Sequence, residues 1–157
     1  MNITSLLESG IVVPSLESPT AEEAIRELVE ALIGIGRFAP ERRESTLVAL
    51  FKREAAATTG LGQGFAMPHA KLSNLEDFVV GVGISRRGID FRAADRRTVG
   101  VVFLLLSPED DPYGHLNLMG RIAALVRSEG FVDSVGRCRT VESCLECFGD
   151  EERRLFP

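Results

Sequence analysis

The chain has 157 residues, 45% of them apolar, with a formal net charge of -5 and a sequence pI of about 5.1. That apolar content supports one domain with its own core and excludes a disordered chain or a mini-protein that depends on cross-links. An acidic chain has no electrostatic reason to seek nucleic acid or anionic lipid, and the longest apolar run, Val101 to Leu106, is far too short to insert across a bilayer.

The opening residues, MNITSLLESG, lack the positive start and apolar run of a secretion signal. The three cysteines, Cys138, Cys144 and Cys147, are odd in number, so reduced thiols and a cytoplasmic location are expected. Thr4 to Leu7 makes at best one helical turn, and Pro14 and Pro19 bracket a non-helical stretch. Thr20 and Glu23 form a T-x-x-E capping box. Behind it, Ala21, Ala24, Ile25, Leu28, Leu32 and Ile35 repeat at helical spacing until Gly34 and Gly36. A second helix follows Pro40, with Leu47, Phe51 and Ala55 on one side, and ends near Thr58 to Gly60.

The pattern then changes to strands. Gly60, Gly62 and Gly64 make a flexible segment, and Phe65 to Met67 is a short extended run leading to Pro68 and His69. Phe78 to Ile84 alternates with glycines and reads as a strand with close backbone packing, and Ile89 to Phe91 is a weaker one. Val99 to Leu106 is the expected central strand, buried on both faces. Helices return after Pro112, with a stripe of Leu116, Met119, Ile122, Ala123 and Val126. After Gly130 come one helix with Phe131, Val135 and Cys138 and another, capped by Thr140, with Val141, Leu145 and Phe148. The fold expected is a single α/β sandwich over residues 1–157, core about 4–148, with a mixed sheet flanked by helices. Strand order is not legible.

His69 and His115 are the only histidines. His69 follows a proline that fixes the backbone, itself preceded by three glycines whose amides can approach an anion closely. An imidazole held there suits nucleophilic work; an ordinary turn histidine is the plain alternative. His115 opens the helix after the longest strand, where ligand sites of open α/β sheets collect, but taken alone a first-turn histidine that merely faces solvent is the favoured reading. Arg53 approaches the glycine segment from the second helix. It is either a phosphate-gripping fork or a solvated helix residue, paired with Glu54 or a neighbour. Cys144-x-x-Cys147 falls inside a helical pattern, which favours packing over redox chemistry or a metal role. Gly60-x-Gly62-x-Gly64 precedes a strand and is followed by no G-K-[ST], so it is neither a dinucleotide nor a P-loop motif. No cofactor or metal is expected.

The stretch Arg53-Glu54-Ala55-Ala56-Ala57-Thr58-Thr59-Gly60-Leu61-Gly62-Gln63-Gly64-Phe65-Ala66-Met67-Pro68-His69 resembles the motif of the type 2 enzyme IIA domains. These form the fructose, mannitol and nitrogen-regulatory branch of the bacterial phosphotransferase system. His115 to Ala123 resembles that family's segment carrying its other histidine, and the intervals of 16 and 46 positions between Arg53, His69 and His115 agree. Met67 and Ala70 are mild departures from the pattern.

The resemblance implies a phosphoryl carrier, with His69 as the phosphorylated nucleophile and Arg53 and His115 flanking the group. Thr59, Gly60, Gly62 and Gly64 would add donors. It further implies an HPr-type phosphohistidine protein as donor, and a IIB domain or a regulated protein downstream. The short charged tail, Asp150 to Arg154, is expected to end the domain without a fused IIB, which favours the nitrogen-regulatory type over a sugar component. Phe65, Met67 and Leu72 are candidates for an apolar docking surface around His69, with core packing the alternative for the first two.

Overall fold

The six consecutive apolar residues Val101–Leu106 lie inside the long central strand of a six-stranded mixed sheet. A computed structural model describes residues 1–157. The strands are β1 (Ile11–Val13), β2 (Gly60–Gly62), β3 (Phe65–Ala66), β4 (His69–Leu72), β5 (Val79–Ile89) and β6 (Val99–Pro108). Their order is β1-β5-β6-β3-β2, with β4 also on β6. β5 runs antiparallel to β6, whereas β3 and β4 run parallel to it along successive parts of its length.

Side chains alternate across a strand, so β6 divides its apolar residues between two cores. Val101, Phe103 and Leu105 enter one; Val102, Leu104 and Leu106 enter the other. The second core is closed by α2 (Ala21–Gly34) and α3 (Arg43–Ala56). The first is closed by α1 (Ile3–Glu8), α4 (Pro112–Arg127), α5 (Phe131–Gly136) and α6 (Val141–Leu155). The result is the expected α/β sandwich with a mixed sheet. The glycines of β5 allow close packing on that sheet: a Cβ on Gly83 would lie 2.6 Å from a methyl carbon of Leu16.

Four local readings change. β1 is a three-residue strand paired with β5 through Ile11–Gly81 to Val13–Gly83, in a stretch too short for periodicity to show. The glycine segment is no flexible loop but a hairpin of β2 on β3. Ile89 is no separate strand: it ends β5 after a bulge, because Ile84 pairs with Val101 and Ile89 with Val99, leaving Ser85 to Gly88 off the ladder. Thr20 caps α2 by accepting the Glu23 amide at 3.2 Å, but the capping box with both halves made is Thr140 with Ser143.

The domain also extends past the expected core limit. Helix α6 continues to Leu155, and Glu152 is buried, only 2% exposed. One of its carboxylate oxygens accepts the Ile3 amide at 2.7 Å; the other accepts the Thr4 amide at 2.9 Å and the Thr4 hydroxyl at 2.6 Å. Arg121 approaches at 3.5 Å. The carboxylate therefore takes the orphan amides at the start of α1 and ties the two ends of the chain together. Glu152→Ala leaves those donors buried without partners and should lower the unfolding free energy by about 3 kcal/mol. Glu152→Gln should recover only part of that, because its amide nitrogen cannot accept from Thr4. Denaturant unfolding of the two variants measures both.

Candidate functional site

β3 and β4 form one line of chain along β6, broken at Pro68. Phe65 and Ala66 pair with Val101 and Val102, and His69 to Leu72 pair with Leu105 to Pro108. Pro68 has no N–H for the ladder, but its carbonyl still accepts the Leu105 amide at 3.0 Å. His69 is the first residue beyond the break.

The ring of His69 is oriented by its own strand. Its Nδ1 lies 2.9 Å from the Met67 carbonyl oxygen. A carbonyl only accepts, so Nδ1 carries the proton and Nε2 of the neutral ring keeps a free lone pair. Met67 is in turn held in place, because its amide donates to the Thr59 carbonyl at 2.9 Å. Thr59 is fixed by Glu54, whose carboxylate accepts the Thr59 amide at 2.7 Å and the Thr59 hydroxyl. A line of bonds thus runs from the last turn of α3 to the imidazole.

His115 lies in the first turn of α4, the helix covering the core face to which Phe65 and Met67 also point. The two imidazole centroids are 5.6 Å apart and the rings are tilted by 46°. His115 Nδ1 is 2.7 Å from the hydroxyl of Ser107, a fully buried residue of β6. When that hydroxyl donates, the ring proton rests on Nε2, and His115 becomes a donor on its other edge.

Both histidines have their pKa lowered from the ordinary 6.5. For His69 burial is the largest cause. The charges of Arg53 and Lys71 push the same way, against the Met67 carbonyl and Glu54. For His115 the causes are burial, then His69 and Lys71. His69 is thus a neutral imidazole at neutral pH, and more enclosed than the partly exposed edge expected, at 9% exposure.

The structure therefore brings His69 and His115 together and holds Arg53, in the last turn of α3, where its charge acts on the His69 ring. It does not bring the other expected donors there. Thr59 is buried with amide and hydroxyl both engaged by Glu54, and the Gly60 amide donates to the Thr58 hydroxyl at 3.0 Å. Gly62 and Gly64 sit at the far end of the hairpin, where the Gly64 carbonyl accepts from Gly100 and Val101, four positions of β6 before the partner of His69. Arg53 is not paired with Glu54; it donates to the Ala57 carbonyl at 2.8 Å.

Sequence reasoning missed Ser107, Lys71 and the positioning role of Glu54. Ser107 was findable as the polar residue ending an apolar strand. Lys71 was findable from strand period, since it shares a face with His69. The apolar candidates Phe65, Met67 and Leu72 are core residues, whereas Tyr113 and Leu116, on either side of His115, are 85% and 69% exposed. Cys144 and Cys147 lie inside α6, where burial pushes their thiols up to about 12 and about 11, so their spacing reflects packing.

Residues 5–150 match the family described as "Phosphoenolpyruvate-dependent sugar phosphotransferase system, EIIA 2", and the chain belongs to that family. It is 31% identical over 143 residues to a nitrogen regulatory protein of Bradyrhizobium diazoefficiens, covering 91% of this chain and 92% of that one. It is 30% identical over 129 residues to the PTS system fructose-specific EIIABC component of Bacillus subtilis. There the match takes 82% of this chain but spans only 20% of the longer protein. Among solved structures, the nitrogen regulatory protein IIA-Ntr of Neisseria meningitidis superposes with a TM-score of 0.82 at 24% identity, covering 93% of this chain and 98% of that one, which shows the shared fold. No helix is long and apolar enough to cross a membrane.

Since Arg53 and Lys71 both disfavour a proton on His69, removing either cation should move the His69 titration midpoint up. Lys71→Ala should raise the His115 midpoint as well. An NMR titration of the imidazole resonances tests this, and unchanged midpoints would show that the cations do not bear on the rings.

Proposed function

We propose that the chain is a phosphoryl carrier that takes a phosphoryl group from an HPr-type phosphohistidine donor onto His69 Nε2. The observation that carries this reading is the Nδ1–Met67 carbonyl bond, which leaves one unprotonated nitrogen in a neutral ring beside a second imidazole and under the influence of the Arg53 charge. The Nε2 lone pair forms the new N–P bond as the donor's N–P bond breaks and its electron pair returns to the donor imidazole. The Nδ1 proton stays in place, and the Met67 carbonyl stabilises the positive character the ring acquires. Transfer of this kind depends on positioning and charge stabilisation. Arg53, turning from the Ala57 carbonyl, and His115, donating from Nε2, would serve the equatorial oxygens, and Lys71 would add a third positive contribution.

The acceptor is a IIB domain or a protein regulated by the phosphorylation state of His69. The nitrogen-regulatory reading leads, because the Bradyrhizobium protein is matched along nearly its whole length. The likeness to the fructose protein supports a sugar-specific component as the alternative. Three free cysteines, none of them paired, agree with the cytoplasmic setting in which such relays operate. Tyr113 and Leu116 are the apolar fringe on which donor and acceptor would dock through the small interface a transient relay needs.

Incubation with a phosphorylated HPr-type protein should add one acid-labile phosphoryl group, visible in the intact mass and absent in His69→Ala. An adduct that persists in that variant would move the reaction elsewhere. Arg53→Ala should slow transfer about 10²–10³-fold with little change in melting temperature, and a wild-type rate would remove Arg53 from the mechanism. Leu116→Ser, or Tyr113→Ser, should weaken transfer from the protein donor about tenfold while leaving phosphorylation by phosphoramidate unchanged. A parallel loss with both donors would mean that these side chains act on the chemistry and not on docking.

A further inference from the structure

We propose that a second site, at the other end of β6 from the histidine pair, binds a small polyanion carrying phosphate groups. The site is a cavity of about 310 Å³ between the β5 bulge, the β2–β3 hairpin and α5, a size suited to a compact metabolite. Four arginines line it: Arg86, Arg87, Arg97 and Arg137. One carboxylate, Asp133, lines it with them. The nearby Asp95 is turned to the backbone, accepting the amides of Gln63 and Arg97.

None of the four guanidiniums is in an ion pair; the salt bridges of the molecule use Arg43, Arg121, Arg153 and Arg154. Four like charges gathered without partners repel one another, and a multiply charged anion relieves that repulsion. The planar forks of arginine suit phosphate oxygens.

The local backbone explains how the residues converge. The bulge at Ser85 to Gly88 takes two arginines off the β5–β6 ladder. Gly88 makes the return at φ +78°, where a Cβ would also lie 2.6 Å from the Thr98 hydroxyl oxygen.

The site is separate from the phosphoryl centre. Val101 lines it, whereas His69 pairs with Leu105, so the two are about 13 Å apart along β6. The occupant is a small molecule and not a nucleic acid backbone, because a chain of net charge -5 repels a long polyanion beyond this patch. This inference does not depend on the phosphohistidine reading.

Isothermal titration of the full chain with inorganic pyrophosphate tests it. Saturable one-to-one binding is expected, with a Kd below about 1 mM, and inorganic phosphate should bind more weakly. Arg97→Gln and Arg137→Gln should each weaken pyrophosphate about tenfold. His69→Ala should bind as the wild type does. The proposal is overturned by the absence of saturable binding, by equal affinity for phosphate and pyrophosphate, by full affinity in the arginine variants, or by loss of binding in His69→Ala. It is equally overturned if short single-stranded DNA binds where pyrophosphate does not.

Discussion

The Met67 carbonyl sets the chemistry of this molecule through one hydrogen bond to His69 Nδ1. An imidazole free to rotate would present either nitrogen and either tautomer. Fixed this way, it presents one basic nitrogen in one direction. The fold exists around that bond in a literal sense. Met67 can point its carbonyl at the ring because Pro68 interrupts the ladder, and the chain returns to β6 immediately afterwards as β4. The tie from Met67 through Thr59 to Glu54 then makes the ring orientation a property of helix α3. The Arg53-Glu54 pair thereby divides its labour: one residue brings charge toward the imidazole, the other holds the backbone that aims it.

Burial and charge act in the same direction on both rings. Desolvation disfavours the charged imidazole, and the neighbouring cations disfavour it again. On the proposed reading, the positive charge that would hold a doubly negative group also keeps the nucleophile unprotonated before the group arrives. A phosphoryl group on His69 would reverse the balance, because its negative charge favours protonated neighbours. His115, wedged between Ser107 and His69, is the side chain that feels the reversal most directly.

Much of this was legible in the sequence. Long amphipathic patterns gave α2 and α4, and the apolar run gave β6, because each spans enough residues for periodicity to stand out. The ordered motif from Arg53 to His69, with the spacing to His115, pointed to the two imidazoles that meet and to the arginine whose charge acts on one of them. What was not legible has a common physical character. β1 is three residues long and is a strand only because β5 lies beside it. The glycines were read as amides awaiting an anion, whereas their register with β6 carries them away from His69. Thr59 looked like a free donor until Glu54 took both its groups. Phe65 and Met67, adjacent to the site in sequence, face inward by strand alternation, and the exposed apolar residues come from α4 instead. In each case the deciding partner lies on another element, so local pattern holds no record of it.

The bulge in β5 shows how one strand irregularity can serve a purpose that the rest of the sheet does not. The β5–β6 pairing is continuous from Val79 to Ile84. Continued without interruption, that register would set Ile89 opposite Arg96, whereas the bulge brings it opposite Val99, and both of these are buried. Four residues leave the ladder on the way, two of them arginines, in a chain whose overall charge is negative. Bulges re-aim side chains at sheet rims, and here the re-aimed side chains join Arg97 and Arg137 around one cavity. Because the central strand β6 supports both ends, an anion seated among those arginines would bear on the strand whose far end holds Leu105 and Ser107 against the two histidines.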